Sequence, residues 1–259
     1  MNILVFVKQV PDTTEVKIDP KTNTLIREGV PSIVNPFDKH ALEAALRLKD
    51  SCGAKVTVIT MGPPQAKEAL RECLAMGSDE AVLVSDRAFG GADTLATSYT
   101  LAATAKKLGY DIIICGKQAI DGDTAQVGPE VAEHLDIPQV TYVSNIKVIG
   151  NSVIATREME ETNEVVEAKM PVLLTVVKSI NTPRYPTVKL TVKARQTEIR
   201  TLTNTDLDLN TSLIGLNGSP TQVSRIFNPP SGGPGLLIKE EPGEAVMTLI
   251  EKLKEAKVI

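Results

Sequence analysis

The sequence predicts an α/β fold built on an open, doubly wound, mostly parallel sheet, and three observations predict it. Four short runs rich in β-branched residues, Ile3–Val7, Val56–Thr60, Ala81–Val84 and Ile112–Cys115, are apolar nearly throughout instead of alternating, as strands covered on both faces are. Helical spacing fills the intervals at Asp38–Lys49, Gln65–Met76, Asp93–Leu108 and Thr124–Leu135. Strand and helix therefore alternate over residues 1 to about 138, the order of right-handed βαβ units.

Taken along the chain, the first strand leads through Lys8-Gln9-Val10-Pro11-Asp12 to a hairpin excursion expected at Val16–Ile26, centred on Asp19-Pro20-Lys21-Thr22-Asn23. Asn35-Pro36-Phe37-Asp38 then opens the first helix, with Asp38 expected as its N-cap and Phe37 as a core residue. Met61-Gly62-Pro63-Pro64 turns the second strand into the second helix, glycine permitting close backbone approach and proline starting the helix. From Val140 the pattern changes: Ile146–Val148 and Val153–Thr156 alternate, Glu158-Met159-Glu160-Glu161 follows, and Val172–Val177 comes after Pro171. These three runs are expected to add antiparallel strands beside the parallel sheet. After Ser179 a proline-punctuated loop, Asn181–Pro186, precedes a basic segment, Lys189–Arg195. The breaker cluster Asn228-Pro229-Pro230-Ser231-Gly232-Gly233-Pro234-Gly235 reads as a linker. This divides the chain into an α/β domain at 1–227 and an arm at 228–259, whose Gly243–Ala256 segment has amphipathic helical spacing.

Composition excludes several function classes. The chain has 259 residues and a net charge of −4, with no basic cluster interleaved with aromatics, so nucleic acid is not an expected partner. No apolar run approaches the roughly 18 residues of a membrane span, and the first residues lack a secretory pattern, so the cytoplasm is the expected location. Cys52, Cys73 and Cys115 form no CxxC pair, and His40 and His134 lack partners at ligand spacing, so neither disulfides nor a metal centre is expected.

In open α/β sheets ligands sit beyond the carboxyl ends of the strands, which directs attention to the loops there. Gly90-Gly91-Ala92-Asp93-Thr94 leads into a helix carrying Thr94, Thr97 and Ser98 in its first turns, where free N–H groups and the dipole favour phosphate. An ordinary Asp93 N-cap explains the same residues. Gly116-Lys117-Gln118-Ala119-Ile120-Asp121-Gly122-Asp123-Thr124-Ala125-Gln126-Val127 is the densest polar loop and also ends at a helix start, so two helix N-termini would converge on one rim. Asp121 and Asp123 could bond ribose hydroxyls or cap the helix. No nucleophile and base stand at catalytic spacing and no GxSxG occurs. The chain therefore reads as a binder of a nucleotide-like cofactor that brings its own redox chemistry.

Five segments, Val7-Lys8-Gln9-Val10-Pro11-Asp12, Asn35-Pro36-Phe37-Asp38, Ala75-Met76-Gly77-Ser78-Asp79, Gly116-Lys117-Gln118-Ala119-Ile120-Asp121 and Pro183-Arg184-Tyr185, resemble the β subunit of electron-transfer flavoproteins, in order and over nearly the whole chain. The resemblance implies a heterodimer with an α subunit carrying its own FAD, exchanging electrons with an acyl-CoA dehydrogenase. Ordinary members hold AMP here and read differently after the lysine-glutamine loop. The Asp121–Pro129 segment and the Gly90–Ser98 loop look like the electron-bifurcating members, in which this subunit binds a second FAD that accepts hydride from NADH, with ferredoxin or flavodoxin as low-potential acceptor. On that likeness adenine lies against Phe6, Val7, Asn35, Phe37 and Met61, and the phosphates meet Thr94, Thr97 and the amides of Asp123–Val127. Lys8, Pro36, Asp38, Asp93, Gly116, Lys117, Gln118, Asp121, Gly122, Thr124, Ala125 and Gln126 complete the rim. Arg184-Tyr185-Pro186-Thr187-Val188 corresponds to the family's partner-docking loop, with Val188 as apolar anchor, and Glu158 to an acidic residue tied to partner electron transfer. Two alternatives stay open: a conventional AMP-holding subunit, and an ATP-using enzyme of the related adenine-nucleotide hydrolase-like fold. The latter would carry a Ser-Gly-Gly-x-Asp-Ser loop where Lys8–Asp12 stands.

Overall fold

The computed structural model describes residues 1–12, 32–224 and 235–259. The hairpin expected at Val16–Ile26 and the linker residues 228–234 lie outside the described residues. The chain separates into two units, Met1–Arg225 and Ile226–Ile259.

In the larger unit β1 (Asn2–Phe6) runs into a short antiparallel pair, β2 (Gln9–Pro11) with β3 (Ser32–Val34). Helix α1 (Pro36–Cys52) starts where Pro36, with φ preset and no N–H to lose, follows the N-cap Asn35. It stops at Gly53 in the left-handed region, φ 69°, whose N–H returns to the Lys49 carbonyl. Asp38 is thus not the N-cap but lies in the first turn, and Phe37 is half-buried instead of core, its ring under the Lys178 ammonium at 4.8 Å. Then come β4 (Lys55–Met61), α2 (Lys67–Met76), β5 (Glu80–Val84), α3 (Thr94–Leu108) and β6 (Ile112–Gly116). Helix α4 (Val127–Leu135) begins three residues later than Thr124, because Asp123 and Ala125 both take φ of 53° and cannot continue a right-handed helix.

Beyond α4, β7 (Gln139–Ile149), β8 (Ser152–Glu158) and β9 (Asn163–Lys169) form an antiparallel extension. The run after Pro171 does not join them: β10 (Val172–Val176) is inserted between β6 and β7, parallel to both, with Val172 beside Ile112. Full burial at all five of its positions is the physical reason, since only an interior strand has both faces covered. The basic segment after the loop folds as α5 (Val188–Gln196), docked on α2 where Arg71 Nη1 donates to the Ala194 carbonyl at 2.9 Å. Edge strand β11 (Arg200–Leu202) and the short α6 (Asn204–Leu207) close the unit.

The nine-stranded order is β11-β5-β4-β1-β6-β10-β7-β8-β9. Side chains alternate between the faces: Ile3, Val5, Val58 and Ile114 pack with α1 and α2, whereas Leu4, Phe6, Ile59 and Ile113 pack with α3 and α4. The chain progresses from β1 outward through β4 to β5, then returns to place β6 on the other side of β1. That reversal makes the carboxyl ends of β1 and β6 the topological switch point, where ligands of such sheets bind.

In the second unit α7 (Pro242–Glu255) buries none of its residues and leaves Val246, Met247 and Leu249 exposed. Among the described residues no helix is long and apolar enough to cross a membrane, and no cluster of three or more His, Cys, Asp or Glu is placed to hold a metal ion.

Helix α4 lies so close to the sheet that a Cβ on Gly128 would stand 2.6 Å from Thr175 Cγ2 and 3.0 Å from Cys115 Sγ. Gly128→Ala should therefore destabilise the fold by about 1–2 kcal/mol despite the better helix propensity of alanine, measured as a lower urea midpoint.

Candidate functional site

The switch point is held together by the first turn of α1. Asn35, fully buried, spends its side chain on the loop after β6: Nδ2 donates to the Gln118 carbonyl at 2.8 Å and Oδ1 accepts the Ile120 N–H at 3.1 Å. Three residues on, the Asp38 carboxylate accepts the Lys8 N–H at 2.8 Å and the Gly116 N–H at 3.1 Å. Gly116 is needed for this approach, since a Cβ there would strike Asp38 Oδ1 and stand 2.6 Å from Phe37 Cβ. Burial pushes the Asp38 carboxyl up to about 7, against the amide bonds that pull it down. At the outer edge Lys8 Nζ pairs with Asp121 at 2.7 Å, and Gln118 bonds Asp123. Lys117 lies over the Tyr142 ring, 4.8 Å from its centre.

Opposite this clasp the two expected helix starts do converge. Thr94 Oγ1, at the head of α3, lies 3.1 Å from Glu130 Oε1 on α4 and 3.3 Å from Oε1 of its N-cap, Gln126. Asp93 caps α3, accepting the Ala96 N–H at 3.1 Å, while Thr221 donates to its other oxygen at 2.8 Å. Burial works against its ionised form, but these bonds prevail and hold the carboxyl below its ordinary value. Ser98 turns back to the Leu95 carbonyl at 2.8 Å and is spent within the helix. Helix α4 differs: its N-cap Gln126 makes no side-chain cap, leaving the first-turn amides of Val127 and Gly128 without one. Before it, Ala125 in the left-handed region is followed by Gln126 in the right-handed region (φ −104°, ψ −37°), an alternation of the kind that makes anion-binding turns of backbone N–H groups. Glu130 Oε2 is buried beside it with no partner. Gly122 is open, with nothing within 4 Å of a Cβ position, and Thr124 is exposed. Uncapped amides and strained non-glycine backbone fit a phosphate-bearing group on this rim, whereas the orphaned Glu130 oxygen, an acceptor, offers such a group nothing.

Phe6 and Val7 are both buried but belong to opposite faces of the sheet, Phe6 with the α3 and α4 side and Val7 with α1 and α2. Met61 is half-buried at the end of β4, and Pro36 and Thr97 are likewise half-buried. Glu158 ends β8 and accepts the Ser179 hydroxyl at 2.6 Å. The segment 184–188 stands on the far end of α1. Arg184 Nε and Nη2 clamp Glu43 at 2.8 and 3.2 Å, and Nη2 reaches Asp50 at 2.8 Å. Burial raises the Glu43 carboxyl, but the Arg184 bonds outweigh it and the net shift is downward. Next to this clamp Tyr185 is 92% and Val188 84% exposed, while Thr187 caps α5 through the Leu190 N–H at 3.2 Å. Sequence reasoning missed the Glu43 clamp, although a carboxylate inside the longest apolar stretch of α1 was its signal. The Tyr142 bulge, φ 57°, and the contribution of Ser219 and Thr221 to the α3 start carried no local signal at all.

The electron transfer flavoprotein domain matches residues 22–207. Over 98% of both chains the sequence is 58% identical to an electron transfer flavoprotein subunit beta of Clostridium acetobutylicum. It is 56% identical to the caffeyl-CoA reductase-Etf complex subunit CarD of Acetobacterium woodii, over 100% of both. With the acryloyl-CoA reductase electron transfer subunit gamma of Anaerotignum propionicum it shares 44% over 100% of both. The chain belongs to the electron transfer flavoprotein family, among its β subunits.

Two outcomes test this geometry. Asn35→Ala removes two buried bonds and should cost about 2 kcal/mol, read by urea unfolding. The Asp38 carboxyl titrates at about 7 in the fold against 3.8 when unperturbed, so the folded chain holds the extra proton between those values. This component of stability is full at low pH and is lost as pH rises through about 7. Asp38→Asn should flatten it in unfolding curves taken across that range.

Proposed function

We propose that the chain is the β subunit of an electron-bifurcating electron-transfer flavoprotein, and that its rim holds an FAD that takes hydride from NADH and passes electrons to an α-subunit FAD and a ferredoxin or flavodoxin, serving an acyl-CoA dehydrogenase. One observation carries the reading. A second helix start, that of α4, stands uncapped behind a left-handed loop and meets the α3 start at Thr94. AMP needs a single phosphate cradle; here the free α4 start lies beside the α3 start, which Asp93 caps, so two helix ends border the rim as a diphosphate would require.

Each part of the chain has a task in this reading. The amides of Ala125–Gly128 supply fixed donors to phosphate oxygens, and Thr94 sets the distance between the two helix starts. Asn35 and Asp38 hold the loop at the adenine side, and Lys8 with Asp121 borders it. The names of the Acetobacterium and Anaerotignum relatives associate those proteins with reductases of CoA thioesters, which supports an acyl-CoA dehydrogenase as the redox partner. Tyr185 and Val188, exposed beside the anchored Arg184, form the docking contact for that enzyme. The apolar face of α7, belonging to the arm at 228–259, is assigned to the α subunit.

The test is co-expression with the α subunit, counting FAD and AMP per heterodimer and following flavin absorbance anaerobically on adding NADH. Two FAD, no AMP and bleaching by NADH support the proposal; one FAD, one AMP and no response overturn it in favour of the conventional carrier. Ala125→Pro removes one amide and forbids positive φ, and should weaken FAD binding at this rim at least about tenfold while the far-UV spectrum is unchanged.

A further inference from the structure

The ladder between β1 and β6 ends at the pair Phe6 and Cys115. Beyond it the Asp38 carboxylate receives one amide from each strand end, Oδ2 from the N–H of Lys8, two residues past Phe6, at 2.8 Å and Oδ1 from the N–H of Gly116, next after Cys115, at 3.1 Å. A buried side chain from α1 has thus replaced the ladder at the mouth of the switch point. The fit is built from both directions, because only glycine at 116 admits the carboxylate.

The groups facing Asp38 leave it without a cation in direct contact. Lys8 acts on it through space from the end of β1, but its ammonium is engaged with Asp121 at 2.7 Å. Lys39, the next residue on α1, pairs with Glu72 of α2 at 2.6 Å. Cys73 of α2 and Cys115 of β6 are buried thiols whose ionisation is opposed first by burial and also by this carboxylate, so both are neutral neighbours. The ionised form of Asp38 is held by hydrogen bonds, two amides and the Asn35 side chain. A carboxylate accepts on both oxygens, whereas a carboxylic acid turns one of them into a donor and a much poorer acceptor of an amide N–H.

We propose that Asp38 is a positioning residue for the bound nucleotide: its ionised carboxylate fixes the spacing of the β1 and β6 ends, and its protonation frees one of the two amides and loosens the rim. The inference rests on the reading of this rim as a nucleotide site. Lys8 and Gly116 each begin a segment that borders the site, so freeing either amide shifts Lys8 or the Lys117–Gln118 turn relative to the α4 cradle. Nucleotide affinity then follows the charge on Asp38 without Asp38 touching the ligand.

The test uses the full chain. Without ligand, the amide resonances of Lys8 and Gly116 should titrate together with the Asp38 carboxyl carbon at a single midpoint. FAD is the binding probe because its diphosphate keeps its charge between about pH 5.5 and 8.5, and AMP, whose phosphate titrates, serves as a second probe. Wild-type FAD affinity should rise about tenfold as pH climbs through the Asp38 midpoint, and Asp38→Asn should bind at the weaker level with no pH dependence. An Asp38→Asn variant that keeps the wild-type pH slope overturns the proposal. So do Lys8 and Gly116 amides that ignore the Asp38 titration, a result that decides the matter even where the variant does not fold. Failure of both FAD and AMP to bind wild type at any pH, with the amides still titrating together, instead overturns the reading of the rim.

Discussion

The site depends on one constraint: the first turn of α1 must lie against the carboxyl ends of β1 and β6 closely enough for two polar side chains to replace backbone partners. Asn35 grips the peptide groups of Gln118 and Ile120, and Asp38 grips those of Lys8 and Gly116. Both side chains are buried, so each bond forms away from competing water, and leaving any of these groups unpaired would carry the full cost of desolvation. A proline at the first helical position and a glycine opposite, at 116, make the approach possible. Three segments distant in sequence are thereby fixed relative to one another before any ligand is present.

The same helix serves the opposite end of the molecule's chemistry. Beyond its first turn, α1 carries Glu43, which is buried and clamps Arg184, and His40, whose carbonyl accepts from Asn181 at 2.9 Å. The segment bearing exposed Tyr185 and Val188 is therefore anchored at its base and free at its tip. A single rigid element thus supports both the rim and the outward segment. At the rim Asp123 and Ala125 both sit in the left-handed region and α4 is left uncapped. In the function proposed above, a bound anion recovers that cost there.

Much of this was legible in advance. Continuous apolar runs identified the four parallel strands of the first half, because a strand covered on both faces has no polar side to alternate with. The convergence of the α3 and α4 starts followed from the alternation of strand and helix with glycine-rich loops after the strands. Other readings failed for physical reasons. Asp38 looks like an N-cap because aspartate before an apolar periodic stretch usually is one, and only the position of Pro36 moves the cap to Asn35. Val172–Val176 resembles its antiparallel neighbours in composition, but its place between β6 and β7 is set by contacts far away in sequence. The basic segment after Pro186 became α5 because it packs on α2, a tertiary contact that outweighs weak local propensity.

The sequence by itself determined the βαβ order, the positions of the loops at the strand ends and the motifs that mark the family. All of these are local properties of hydrophobic period and residue type. Tertiary structure alone decided which side chains meet: Asn35 with the turn at 118–120, Asp38 with two strand ends, Thr94 with Glu130, and Arg184 with Glu43. These pairs are separated by 30 to 141 residues. Buried hydrogen bonds are directional and short-ranged, so their partners become fixed only once the hydrophobic core has set the spacing and twist of the sheet.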